Sequence, residues 1–151
     1  FKISIKLNTV QSGNRILVSL ERGEPIMKSF TDLAAEMKLK FAEFSGIGAV
    51  MDVTLGYYDF TQKTYLKKQF NENYELISCM GNITYKDGSP FVHAHVAMGD
   101  REYRLYGGHL FEATIAVVGE FSLIPGDVKV ERVMNEDVEL AVWNLKGCSI
   151  E

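Results

Sequence analysis

The sequence predicts an α+β fold, a single domain over residues 1–151 with a largely antiparallel sheet flanked by one or two main helices. Three observations predict it. Short runs of β-branched and aromatic residues recur along the chain, divided by Gly, Asn and Asp clusters. One stretch only, following Pro25, carries a convincing helical period. Finally, Asp87–Gly88 is a strong tight-turn signal between two of the apolar runs. No internal repeat, low-complexity tract or linker divides the chain.

The elements follow in order. Residues 1–7 alternate apolar and polar, as a half-buried strand does. A turn cluster at 11–14 leads into a second strand over 15–20. Beyond Gly23 the period changes: Ile26, Phe30, Leu33, Ala34 and Met37 fall on one helical face, with Pro25 at a first-turn position. That face is expected to be core. Residues 40–48, with Gly46 and Gly48, are given no element of their own. Strands are expected over 49–58, 64–70, 74–80 and 83–85, the middle pair divided at Asn71–Asn73. Residues 91–98 return from the Asp87–Gly88 turn as the second arm of a hairpin. A long apolar run over 113–123, a short strand over 128–133 and a last one over 140–143 complete the chain.

Composition narrows the function. At 46% hydrophobic and 24% charged residues the chain is ordinary for a folded soluble protein, and no apolar stretch has the length of a membrane span. No secretory leader is visible, although the sequence opens at Phe1 rather than at methionine. The net charge of −4, from 16 basic and 20 acidic residues, argues against non-specific DNA binding through phosphate neutralisation by an isolated subunit. The densest basic cluster is Lys67–Lys68 with Lys63 nearby. Cys79 and Cys148 form no C-x-x-C pair and read as two reduced thiols, which fits a cytoplasmic location.

All three histidines fall in one short segment: His93 and His95 in FVHAHVAM, and His109 in YGGHLF. Alternation along a strand puts His93 and His95 on one face, about 7 Å apart, with Val92, Ala94 and Val96 on the other. Thirteen residues separate His95 from His109, enough to turn back beside the strand, and Gly107–Gly108 permits a close backbone approach there. Three neutral imidazoles suit zinc and leave a fourth position for water or substrate. By spacing alone, each histidine reads more readily as a satisfied polar or surface residue than as a ligand.

Other candidates have a functional and a bland account each. Asn82 either orients an imidazole or helps a bound ligand, or it stabilises its local turn. Arg104 and Glu112 flank His109 and are acid–base or anion-binding candidates, or else a surface cation and a solvated carboxylate. Tyr57–Tyr58 stack on a ligand or anchor a core or an interface. Gly46 and Gly48 make no phosphate loop, because its Lys and Ser/Thr are missing. No catalytic residue is identified by pattern.

The run GIGAV at 46–50, VTLGYYD at 53–59, Glu75–Ser78, Gly81–Ile83, Asp87–Gly88-x-Pro90, His93-x-His95 and GGHL at 107–110 resembles the plant and prokaryote conserved (PPC) domain, over nearly the whole chain. Arg15, Leu20 and Gly23–Glu24 match its usual opening. The resemblance implies an antiparallel α+β fold assembled as a homotrimer, with His93, His95 and His109 as a metal site and zinc as its ion. It also implies DNA as a partner, since stand-alone prokaryotic members carry a DNA-binding label. Plant members place AT-hooks before the domain; this chain has no such segment, which weakens that partner here. The shape implied is also similar to acetolactate decarboxylase, a three-histidine zinc enzyme. Three roles follow: a regulatory, DNA-associated protein; a zinc-dependent lyase or hydrolase for a small carbonyl or ester substrate; and a ligand-sensing module with a structural metal.

Overall fold

The computed structural model describes residues 8–146. The strand expected over 1–7 and Cys148 lie outside the described residues. Nine strands and one helix run β1 (Asn8–Ser12), β2 (Arg15–Glu21), α1 (Ile26–Glu36), β3 (Phe41–Asp59), β4 (Thr64–Phe70), β5 (Tyr74–Lys86), β6 (Ser89–Gly99), β7 (Leu105–Gly126), β8 (Glu131–Asn135) and β9 (Leu140–Asn144).

Alternation sets which side of each strand meets the core. On β2, Ile16, Val18 and Leu20 are buried while Arg15 and Leu17 face outward. On β6, Val92, Ala94, Val96 and Met98 are buried, and His93 and His95 take the other face. The helix supplies the core's lid. Ile26, Ser29, Phe30, Leu33 and Ala34 are its buried face, and the Phe30 ring stacks on Phe44 at 4.4 Å and meets Phe121 edge-on at 5.0 Å. Met37, expected on that face, is instead the exposed C-cap residue, because the chain turns away there through a left-handed Lys38.

The sheet curls back on itself. β3 pairs with β5 on one side and β7 on the other, and β6 pairs with both β5 and β7. These four strands therefore close into a ring. The hairpin of β1 and β2 extends it beyond β7, β4 pairs with the far half of β3, and the hairpin of β8 and β9 joins at Tyr85↔Glu131. All pairings but that last one are antiparallel.

Three expectations about length are corrected. β3 starts at Phe41 rather than near residue 49, passing through Gly46 and Gly48 with a register shift between them. Glycine punctuation looked like a break but serves as a bulge within a long bent strand. Similarly β5 is one strand and not two, since Gly81 continues the ladder. A Cβ there would lie 2.6 Å from a carbon of the Phe44 ring, so the glycine answers to packing and not to a turn. β8 begins at Glu131, three residues later than expected. The Asp87–Gly88 turn is as expected: both residues have positive φ, and Lys86 faces Ser89 across a two-residue hairpin.

Among the described residues no helix is long and apolar enough to cross a membrane. Cys79 is a free, buried thiol, and burial pushes its pKa up to about 12.

Candidate metal centre

Strand register brings the histidines together. β6 carries His93 and His95 on its outer face, and the antiparallel pairing of β6 with β7 sets His95 directly opposite His109. Gly107 makes that pairing close, since a Cβ there would lie 2.8 Å from the Val96 carbonyl oxygen; Gly108 does the same on the other side of β7, where a Cβ would lie 2.9 Å from the Gly56 carbonyl oxygen of β3. The result is a three-imidazole cluster whose ligand nitrogens all lie within 4.8 Å of one another. His93 Nε2 and His95 Nε2 are 3.2 Å apart, and the ring centroids stand 5.1 to 5.5 Å from one another.

The surroundings keep His93 and His109 neutral. Burial first, then the Arg132 guanidinium and the other two imidazoles, push His93 down to about 4. Burial, His95 and the Lys67 ammonium push His109 down to about 4 as well. Neutral imidazole is the form that ligates a metal. The His109 ring is fixed by stacking on Tyr65 at 4.7 Å and by the edge of Phe111 at 4.9 Å. Its Nδ1 is buried without a hydrogen-bond partner, the one such side-chain atom among the described residues. A polar atom so placed lacks compensation for its lost water. Three nitrogen donors held on rigid strands, with no carboxylate or thiol in the set, therefore fit a transition-metal ion of the kind imidazole prefers.

A cleft of about 400 Å³ opens beside the cluster, lined by Arg15, Glu43, Ser45, Asn82, His93 and His95 among others. It follows two rows of the sheet. Glu43, Asn82 and His93 are register neighbours across β3, β5 and β6, as are Ser45, Met80 and His95. The hairpin of β8 and β9 lies against the same region. Arg132 donates from Nε to Thr84 Oγ1 at 2.7 Å, from Nη1 to the Ala141 carbonyl at 2.9 Å and from Nη2 to Asn82 Oδ1 at 3.0 Å. Its guanidinium also sits 4.7 Å from the Phe91 ring centroid, and Trp143 Nε1 donates to the same Asn82 oxygen at 3.3 Å. At the hairpin's tip, Tyr58 donates to the Val138 carbonyl and Lys63 pairs with Glu139.

Of the residues singled out in the sequence, the three histidines meet and Asn82 stands beside His93, held by Arg132 and Trp143. Arg104 and Glu112 are committed elsewhere. Arg104 pairs with Asp100 and Glu102 in the turn between β6 and β7. The Glu112 carboxylate accepts from the Met27 and Lys28 backbone N–H groups at 2.8 and 3.1 Å, completing the start of α1, where its negative charge suits the helix end. The basic cluster is likewise divided. Lys67 lies over Phe111 and Lys68 over Phe70, and Lys63 is the residue that pairs with Glu139. Arg15, Glu43, Tyr65 and Arg132 were not legible as site residues. They lie far from the histidines in sequence, and nothing but cross-strand register joins them.

Solved structures share this architecture. A putative DNA-binding protein from Bacteroides thetaiotaomicron is similar at 27% identity, with 91% of this chain and 96% of that one covered and a TM-score of 0.88. A plant- and prokaryote-conserved protein from Pyrococcus horikoshii is similar at 30% identity, with coverage of 94% and 96% and a TM-score of 0.81. A metal-containing protein from Archaeoglobus fulgidus is similar at 34% identity, with coverage of 89% and 95% and a TM-score of 0.81. Acetolactate decarboxylase from Bacillus subtilis shares the fold at a TM-score of 0.51 and 16% identity, with 80% of this chain and 57% of that one covered. No curated protein matches. Residues 7–125 match the Plants and Prokaryotes Conserved (PCC) domain, the one named PPC above. With that match, the strand order and the histidine cluster in agreement, this chain belongs to the plants and prokaryotes conserved domain family.

Proposed function

We propose that this protein is a zinc-binding PPC-domain protein that works as a homotrimer in the cytoplasm, in a regulatory role associated with DNA. The observation that carries the metal is the convergence of three histidine nitrogens within 4.8 Å on rigid strands. The DNA association comes from relatives described as DNA-binding, and the metal from a relative described as metal-containing. Zinc is proposed as the ion because three imidazoles with a fourth position open is one of its catalytic ligand sets. The three residues would hold it, and it would supply Lewis acidity to whatever occupies the cleft. The trimer is supported by the sheet's exposed apolar residues, Ile47, Ile77 and Val117 among them. Their burial between copies would remove an apolar surface unusual for a monomer.

The test joins three measurements on the purified protein. Metal analysis should find about one zinc per chain, removed in His93→Ala and in His109→Ala. Light scattering should find a trimer in all three proteins. A gel-shift titration with A·T-rich and mixed duplexes should show binding at low salt that weakens as salt rises. Metal-free protein that added zinc does not load would overturn the metal. No shift at micromolar protein would overturn the DNA association.

A second reading is favoured by the cleft. The exposed His95 and half-buried His93 line a cavity that also holds Glu43 and Asn82, an arrangement more apt for a small molecule than for a duplex. In this reading the protein is a zinc-dependent lyase or hydrolase for a small carbonyl or ester substrate, and Glu43 is the carboxylate placed for proton transfer. A loaded protein that fails to shift DNA yet turns over an activated ester, with Glu43→Gln slower, would select it.

A further inference from the structure

The cleft has a second chemical end that the metal reading does not use. Arg15 stands at its far side on the outward face of β2, four strand steps from β6 by way of β7, β3 and β5. Among the described residues its one side-chain hydrogen bond is a long one from Nη1 to Ser122 Oγ, at 3.3 Å. Among the described residues it has no ion-pair partner. Glu43 shares the cleft and also has no partner among the described residues, yet the two charges do not meet. A second guanidinium, that of Arg132, is half-buried behind Asn82 with neutral oxygens alone as acceptors. Among the described residues, the Arg15 fork in this cleft therefore keeps N–H groups with no acceptor.

A guanidinium fork matches a planar carboxylate or a phosphate. The other lining residues decide between them. One free arginine neutralises one charge, and the second charge of a phosphate would face Glu43, whose carboxylate lines the same space. A monoanionic head fits; a dianionic one is opposed. The two ends of the cleft are separated by up to about 19 Å of sheet, four steps of about 4.8 Å. The arginine side chain shortens that span, but a ligand touching both ends has to be elongated.

We propose that this cleft binds a small, elongated organic carboxylate, with Arg15 as the anion anchor at one end and the three histidines receiving the other. The histidine end rests on the metal reading above; the Arg15 end does not. Ser45, Ser122 and Asn82 lie between the two and offer neutral hydrogen-bonding groups for the body of the ligand. The chemistry asked of Arg15 is binding and orientation alone.

The protein carries its own reporter. Its one tryptophan, Trp143, donates a hydrogen bond to Asn82, which lines the cleft. Tryptophan fluorescence is followed while zinc-loaded and metal-free protein are titrated, at constant ionic strength, with α,ω-dicarboxylates from succinate to suberate, with the matching monocarboxylates and with inorganic phosphate. In the loaded protein one chain length should bind best, about tenfold or more tighter than its monocarboxylate, the gain expected of one charge-assisted contact. Arg15→Gln should abolish that preference, and Arg15→Lys should keep part of it. In metal-free protein mono- and dicarboxylates should bind alike, and Arg15→Gln should weaken both. The proposal is overturned if the preference survives Arg15→Gln, if no chain length is preferred, or if phosphate binds more tightly than every carboxylate. If zinc does not load while Arg15-dependent carboxylate binding persists, the metal reading fails and the anchor stands. Absence of carboxylate binding to the metal-free protein would sink the anchor whatever the metal does.

Discussion

Replacing Arg132 by methionine tests how the site is braced. Methionine keeps an unbranched apolar stem while removing three directed donors and the guanidinium beside Phe91. The three acceptors do not suffer equally. Asn82 and Ala141 are partly exposed, so water can replace what they lose, but Thr84 is fully buried. Its hydroxyl reaches the Phe91 carbonyl at 3.4 Å, and without Arg132 its lone pairs have no donor. An unsatisfied buried acceptor costs about 1–3 kcal/mol, and the lost charge-assisted bonds at the wetter positions add about 1 kcal/mol. Relief of the burial that lowers the Arg132 pKa offsets part of this. The expected net loss is about 2–3 kcal/mol. For a chain of this size that lowers Tm by about 4–12 °C. The assay is calorimetric melting of native protein, Arg132→Met and Arg132→Lys. A compact ammonium cannot serve three acceptors in a fork, so lysine should recover less than half of the loss. Limited proteolysis should also cut the hairpin of β8 and β9 sooner in Arg132→Met, because two of its hydrogen bonds to β5, at Thr84 and Asn82, are gone. A melting shift below about 2 °C with unchanged proteolysis, or full recovery by lysine, would falsify the account of Arg132 as a three-way brace.

Three further outcomes are expected. Gly108→Ala places a methyl group 2.9 Å from the Gly56 carbonyl oxygen, a backbone atom that cannot swing aside, so it should lose about 1–3 kcal/mol and weaken metal binding; melting and metal content check both, and an unchanged protein would contradict the close approach. Metal-free protein should lose stability as pH falls from about 6.5 toward 4, because His93 and His109 titrate near 4 when folded and near 6.5 when unfolded, so the unfolded chain binds more protons in that window. Urea midpoints at several pH values read the slope, which the double variant His93→Ala/His109→Ala should flatten. Asp100→Asn should loosen the turn between β6 and β7. Burial alone would raise the Asp100 pKa, but the Arg104 and Glu102 N–H groups and the Arg104 guanidinium hold it at about 2. Its contribution is therefore present above about 3.8 and lost as pH falls through about 2. Hydrogen exchange at residues 100–105 measures the loosening, and unchanged protection there would count against it.

The same elements show what was legible in the chain. β-favouring residues after a turn cluster found β2, helical spacing found α1, and Asp87–Gly88 found its hairpin and with it β6, since each of these signals is written within a few neighbouring residues. The glycines at 46, 48 and 81 misled because a glycine in a strand and a glycine in a turn look alike locally. What separates them is a ring or a backbone lying opposite, and those come from elsewhere in the chain. Glu112 misled for a similar reason. Adjacent to the His109 segment, it reads as a candidate for the site, yet α1 takes its carboxylate from 84 or 85 residues away in sequence.

By itself, then, the sequence determined the fold class, the shared face of His93 and His95, and the likeness of the chain to its family. All of these rest on short-range periodicity or on motifs in order. Tertiary structure alone decided that His109 stands opposite His95, that Arg15 and Glu43 line one cleft with His93 and His95, and that Arg132 braces it from a distant hairpin. The physical reason is closure of the sheet. Once the strands pair around the ring, residues as far apart in sequence as Arg15 and Ile124 become neighbours on one surface, and no local pattern encodes which ones.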